Sequence, residues 1–230
     1  MDNRYYFTDL KENFVTISGG EAQHLSRVRR AKVEDEIVAF NGDGFDYHLK
    51  ISEITKDKVV AEIIEKTINR ASNDTNITVY LSMIKNDALT TAIDNLAELN
   101  VKHVKLFKSD YSVAQIDEKK LEKLNQIAIQ ASKQSERADV MKISIINKKD
   151  IKIDCENVIT FFAYEDSNNK IENFSGDFAV IIGPEGGFSE NENEFFSSFA
   201  KNVSLSKTIL RAEVACVASV SMLKAVNCES

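Results

Sequence analysis

Cysteine, proline and long apolar runs are all scarce in this chain of 230 residues. The three cysteines, Cys155, Cys216 and Cys228, show no C-x-x-C spacing, which argues against a disulfide framework or a zinc site and points to reduced thiols in the cytoplasm. His48 and His103 stand alone, with nothing near them in sequence to make them ligands or general bases, so no metal is expected. No stretch approaches the roughly 18 apolar residues of a membrane span, and the start Met1-Asp2-Asn3-Arg4-Tyr5-Tyr6 lacks the apolar core of a secretory signal. A basic excess is missing too. The net charge is −7, which lowers the expectation of a nucleic-acid partner, since phosphate binding is usually written as a basic surface. Most of that excess lies after residue 150, however, and the rest of the chain is close to balance.

What is present describes a globular protein: 43% apolar and 28% charged residues. The first seventy residues read mainly as strands. Phe45, Tyr47, Leu49 and Ile51 alternate with polar residues, as in a half-buried strand, and Asn41-Gly42-Asp43-Gly44 before them is a hairpin turn after Ile37-Val38-Ala39-Phe40. Val59, Ala61 and Ile63 alternate again. Ser18-Gly19-Gly20-Glu21 has capping-box spacing for a helix over Ala22 to Arg30. The sum is a small β-barrel, followed by a polar linker from Lys66 to Asn76. Beyond it strands and helices alternate. Apolar runs at 77–83, 101–107, 158–163 and 178–183 are separated by helical patterns, at 88–99 and 118–137 among others, with further helices at 191–200 and 211–226. This order predicts an α/β fold with a parallel sheet. The expected domains are residues 1–70 and 74–230.

Four constellations could carry chemistry. In the first, the buried strand Val180-Ile181-Ile182 runs into Gly183-Pro184-Glu185-Gly186-Gly187-Phe188-Ser189-Glu190, which holds the sole proline and three of the eight glycines. Glycine lets backbone approach a ligand, proline fixes the turn, and ligands of open α/β sheets sit at the carboxyl ends of strands. A tight strand-to-helix connection is the plainer alternative. Neither a Walker loop nor a G-x-G-x-x-G fingerprint is present, which disfavours a phosphate-cradling enzyme. The second is Leu205-Ser206-Lys207-Thr208-Ile209-Leu210-Arg211-Ala212-Glu213-Val214-Ala215, with Arg211 expected in the first turn of a helix, against its dipole. The third is a helix end carrying Gln134, Ser135 and Arg137, and the fourth is the basic run His24, Arg27, Arg29, Arg30 and Lys32. Solvated surface is the plain alternative for both. Tyr164-Glu165-Asp166 follows another apolar strand and is a second candidate for lining a pocket.

Taken together, these segments resemble the RsmE family, SPOUT-class enzymes that methylate N3 of a uridine in small-subunit (16S) ribosomal RNA. The likeness runs along nearly the whole chain. It rests most on the Gly-Pro-Glu-Gly-Gly loop at Gly183 to Gly187 and on Leu205 to Ala215, and less on Gln134-Ser135-Glu136-Arg137 and His24 to Arg30. It implies a PUA-like RNA-binding β-barrel, then a knotted domain with a deep trefoil knot, a homodimer, and S-adenosylmethionine as methyl donor. By the same resemblance Phe162, Ala163, Tyr164 and Glu165, then Ile182, Gly183, Pro184, Glu185, Gly186 and Gly187, then Leu205, Ser206, Ile209 and Leu210 would line the cofactor. Arg211 and Glu185 would be catalytic. His24, Arg27, Arg29, Arg30, Gln134, Ser135 and Arg137 would contact the RNA or the small ribosomal subunit, and no metal is implied. The chain departs from the family pattern at Ser206, where glycine is usual, and at Ala212 and Val214, where threonine is. A knotted RNA-binding relative without turnover is the rival reading.

Overall fold

The computed structural model describes residues 4–10, 13–55, 57–73 and 75–228; Met1 to Asn3 of the start and Asp74 of the expected linker lie outside them. The chain forms two compact units, one of residues 1–73 with 132–140, the other of 74–131 with 141–230.

The first unit is a curled five-stranded sheet of β1 (Arg4–Tyr6), β2 (Phe14–Ser18), β3 (Glu36–Phe40), β4 (Phe45–Ile54) and β5 (Lys58–Ile68), in the order β1-β3-β4-β5-β2. All ladders are antiparallel except β1 with β3. The alternation read in β4 is the reason it sits as it does. Tyr47, Leu49 and Ile51 point into a core with Tyr5, Val15, Ile17, Ile37, Val59 and Ala61, and a one-residue slip would turn the whole set outward. The hairpin turn uses Gly44 at φ +87°, a conformation costly for side chains with a Cβ. The polar stretch from Lys66 is not all linker: β5 continues to Ile68, and the buried Asn69 amide donates to Asp46 Oδ2 and to the Glu136 carbonyl, both at 2.9 Å.

The helix after β2 also differs from expectation. Helix α1 (Gly19–Gln23) has Ser18 at its N-cap with no side-chain cap bond, and the Glu21 carboxylate accepts from Lys133 at 2.7 Å rather than completing a capping box. The helix widens to π geometry over His24–Val28 and ends before Arg30, which has φ +53°. Arg27 and Arg30 therefore do not share a helical face.

The second unit is a six-stranded parallel sheet in the order β11-β9-β10-β6-β7-β8. Its strands are β6 (Ile77–Ser82), β7 (His103–Phe107), β8 (Lys142–Ile145), β9 (Ile159–Ala163), β10 (Phe178–Ile182) and β11 (Lys201–Val203), and its helices α2 (Asn86–Glu98), α3 (Glu118–Gln134), α4 (Ile151–Asp154), α5 (Glu190–Ser197) and α6 (Ala212–Val226). Every residue of β10 is buried, as befits a strand covered on both faces. On one face Tyr80, Phe107, Phe162, Ile181 and Phe196 make a dense aromatic core. Helices α2 and α6 pack on each other, with Leu89, Ile93, Leu96, Val220 and Leu223 buried. The helix expected to reach Arg137 ends at Gln134, and Glu136 turns left-handed at φ +58°.

Candidate active site

Three neighbouring parallel strands, β10, β9 and β11, end side by side. Ile181 pairs with Phe162, and Val203 with Ala163, so the loops that follow leave the same edge of the sheet. The Tyr164 N–H donates to the Val203 carbonyl at 3.1 Å and ties two of these loops together. Between them lies a cavity of about 120 Å³. The first loop lines it with Ala163, Tyr164 and Glu165, the second with Ile182, Gly183, Pro184 and Gly187, the third with Leu205, Ser206, Ile209 and Leu210. These residues are separated by up to forty-odd positions in the chain and are brought together by strand register.

The glycine loop owes its shape to packing as much as to any ligand. A Cβ on Gly183 would stand 2.9 Å from Cε2 of Phe188, whose ring lies edge-on to Phe162 and Phe196 and stacked on Phe107. Gly187, at φ +72°, closes the turn by donating its N–H to the Pro184 carbonyl at 3.0 Å. The capping box read at Ser189 is present: its Oγ accepts the Glu192 N–H at 3.3 Å, and Glu192 Oε2 accepts the Ser189 N–H at 3.0 Å. The other Glu192 oxygen accepts the Asp110 N–H at 2.9 Å and the Lys148 ammonium at 2.6 Å. Lys148 also holds Asp110 at 2.7 Å, and Ser189 Oγ donates to Asp110 at 2.6 Å. This network fixes the start of α5 from two other loops. The Lys148 bond, then the Ser189 bond, hold the Asp110 carboxyl below its ordinary value. Burial works against the charge of Lys148, yet its two carboxylate partners keep its pKa above the ordinary one.

Several expected residues stand elsewhere. Phe162 is buried in the aromatic core under the cavity rather than in its wall. Glu185 turns its Oε1 to the Lys85 N–H at 3.2 Å, at the entrance of α2, and Gly186 packs near Tyr111. Arg211 is the N-cap residue of α6 with extended backbone rather than a first-turn residue, and its cation still stands at the positive end of the helix dipole. It is exposed, between Leu210 and Ala212, which line the cavity; its carbonyl accepts the Ala215 N–H at 2.8 Å, while its guanidinium has no hydrogen-bond partner among the described residues. Thr208, inside the expected stretch from Leu205 to Leu210, also lines the cavity; Phe188, Asn193, Ala212 and Ala215 complete the wall and were not among the expected residues. Ala212 and Ala215 had left a signal in the small face of their helix; Asn193 had left none. Ser206 needs no glycine, since its φ is not positive, and its Oγ accepts the Thr208 N–H at 3.1 Å.

In the first unit Arg27, Arg29 and Arg30 are exposed, as is Gln134, whereas His24 and Ser135 are half-buried. Arg137 is only 2% exposed, and its guanidinium forks onto Asp139 through Nε at 3.2 Å and Nη2 at 3.1 Å. It is an internal clamp here. Among the described residues no cluster of three or more metal-ligating side chains occurs, and no helix is long and apolar enough to cross a membrane.

A parallel sheet with a loop-built cavity, preceded by a small β-domain, matches one class of protein throughout. The family model for the RNA methyltransferase domain covers residues 71–224, and that for the RNA methyltransferase PUA domain residues 17–64. The ribosomal RNA small subunit methyltransferase E of Aquifex aeolicus is 30% identical over 230 residues, covering 95% of this chain and 97% of that one. A methyltransferase of the same name from Neisseria gonorrhoeae, solved bound to S-adenosyl methionine, superposes with a TM-score of 0.87 at 24% identity, covering 98% of each chain. A predicted RNA methyltransferase of Thermotoga maritima gives 0.76 at 26% identity, covering 97% of this chain and 99% of that one. The chain belongs to the ribosomal RNA small subunit methyltransferase E family of RNA methyltransferases.

Proposed function

We propose that this chain methylates N3 of a uridine in 16S ribosomal RNA, using S-adenosylmethionine held in the cavity at the ends of β9, β10 and β11. The observation that carries the reading is the chemistry of that wall. It joins apolar side chains (Ile182, Leu205, Ile209, Leu210) to backbone-rich turns and one carboxylate, Glu165, and it contains no lysine or arginine. Such a lining suits an adenine and a cationic sulfonium, and is unsuited to a triphosphate. When bound, the donor supplies a methyl group made electrophilic by its sulfonium, so the protein's part is mainly to position the reactants.

The residues divide the remaining work. Arg211 is assigned the negative charge that grows on the uracil oxygens as N3 loses its proton. Glu185 orients its neighbours through Lys85 and takes the proton. Arg27, Arg29 and Arg30 grip phosphates, with His24 beside them, on a PUA-like domain within residues 1–70 that Gln134 and Ser135 join from the later segment 132–140; the rest of residues 74–230 form the methyltransferase domain with a trefoil knot. Exposed Ile209 and Val214 next to the cavity favour a homodimer, which covers them. A ribosomal substrate places the enzyme in the cytoplasm.

Two measurements test this. Calorimetric titration gives saturable binding of S-adenosylmethionine and none of ATP; absence of the first sinks the reading. Expression in a strain lacking the activity restores N3-methyluridine to 16S RNA, and binding of the donor without restoration would leave only an RNA-binding relative.

A further inference from the structure

The loop after β7, Ser109-Asp110-Tyr111-Ser112, lies against the glycine loop yet contributes nothing to the cavity wall. Three of its four residues are pinned. Ser109 Oγ, Ser112 Oγ and Ser82 Oγ form a closed triangle with edges of 2.6, 2.8 and 2.8 Å. Ser112 Oγ also accepts the Ser109 N–H at 3.1 Å, and the Ser112 N–H donates to the Ser109 carbonyl at 3.1 Å. Asp110 is held through its N–H by Glu192, and through its carboxylate by Lys148 and Ser189. The fourth residue has none of this. Tyr111 has no hydrogen-bond or ring partner among the described residues and is 55% exposed. Its Cβ lies 3.5 Å from where a Cβ on Gly186 would stand, one residue from Gly187 in the cavity wall.

A rigid loop that presents a single large aromatic to water loses hydrophobic burial, and fixing the loop costs chain entropy. Both losses are offset when a flat ligand covers the ring. An unpaired nucleobase is such a ligand, because every base has a π-face, and a base must leave its stack before a ring nitrogen can be reached. We propose that Tyr111 is the platform on which the target base of an unpaired RNA segment stacks at the rim of the methyl-donor cavity. The inference rests on the proposed function and adds the residue that holds the base. A nucleobase fits the position better than a second protein surface, since the ring stands beside the cavity where the reacting base must come.

The test uses the full chain with Tyr111→Ala, Tyr111→Leu and Tyr111→Phe. Donor affinity is read by calorimetry, solution mass by sedimentation, affinity by anisotropy of labelled 16S RNA, and KM with small subunits from cells lacking the modification. Tyr111→Ala and Tyr111→Leu are expected to weaken RNA affinity and raise KM on the order of tenfold. Tyr111→Phe stays close to the wild type, and donor affinity, melting temperature and solution mass hold in all three. Unchanged RNA affinity and KM in Tyr111→Ala would overturn the proposal. So would a Leu variant as good as Phe, or a smaller solution mass, which would assign the ring to an interface between copies. Loss of RNA binding in Tyr111→Ala, from a parent chain that binds RNA without transferring methyl groups, would uphold the platform and sink the methylation reading. Equal turnover in both chains would do the reverse.

Discussion

Replacing Gly183 by alanine puts one methyl group where the structure has least room for it. The added Cβ would stand 2.9, 3.1 and 3.3 Å from Cε2, Cδ2 and Cζ of Phe188. That ring cannot swing aside freely, being wedged among Phe107, Phe162 and Phe196 at centroid distances of 6.2, 5.4 and 5.0 Å. Overpacking of this kind costs about 1–3 kcal/mol. For a chain of this length each kcal/mol lowers the melting temperature by roughly 2–4 °C, so a drop on the order of 5 °C is expected in calorimetry. Donor affinity should fall as well, because Gly183 and Phe188 both line the cavity. The double variant Gly183→Ala, Phe188→Leu separates steric conflict from loss of backbone freedom. If the clash is the cause, the smaller side chain makes room and the two changes cost less together than their sum. Additive losses, or a Gly183→Ala protein melting like its parent, would refute the reasoning.

Other expectations concern charge. Arg211→Ala should lower kcat about 10²- to 10³-fold with donor affinity unchanged, since its guanidinium is not part of the cavity wall; a fall in donor affinity alone would contradict its electrostatic role. Lys148→Met should destabilise the protein by about 2 kcal/mol in urea, by taking a charge-assisted bond from the buried Glu192 carboxylate. The ion pair of Lys148 with Asp110 sets an acid limit. Asp110 titrates below its ordinary value near 3.8, so its contribution is present above that pH and is lost as pH falls through the lower folded value. Acid unfolding curves of the parent and of Lys148→Met should converge there, and parallel curves would exclude the pair as the source. Neutralising Arg27, Arg29 and Arg30 together should weaken RNA binding and reduce its salt slope by about 2. Arg137→Ala should instead lower thermal stability, by removing a buried guanidinium and its two bonds to Asp139, with the salt slope intact.

The cavity was legible in the chain because its walls are strand ends and turns, and both leave local signals. Continuous apolar runs mark β9 and β10, and proline among glycines marks the loop between β10 and α5. Ser189 and Glu192 announce the next helix by spacing alone, and the capping box is there. What stayed hidden is what depends on distant partners. Glu21 has the spacing of a capping residue but is claimed by Lys133, 112 positions away. Glu192 also meets Asp110, 82 positions away, and Lys148, 44 away. Arg137 reads as a polar helix end, and only the fold reveals that it is closed in on Asp139. Phe162 and Ala163 are adjacent in β9, and pleating sends one into the core and the other to the cavity. Asn193 faces the cavity because of how α5 is rotated, which a single polar residue on a polar helix does not disclose.

The first unit is written in two separate passages of the chain, and this bears on its birth. All five of its strands are complete by residue 68, yet several of their polar groups wait for residues 132–140. Glu21 awaits Lys133, Asn69 awaits the Glu136 carbonyl, Arg4 awaits that of Arg137, and the Gly44 N–H awaits that of Ala138. During synthesis the sheet emerges first and stays unfinished while about sixty further residues are made. A gene fragment stopping at residue 73 would encode every strand and none of these closures, so the smallest self-sufficient version of this unit is not a prefix of the chain.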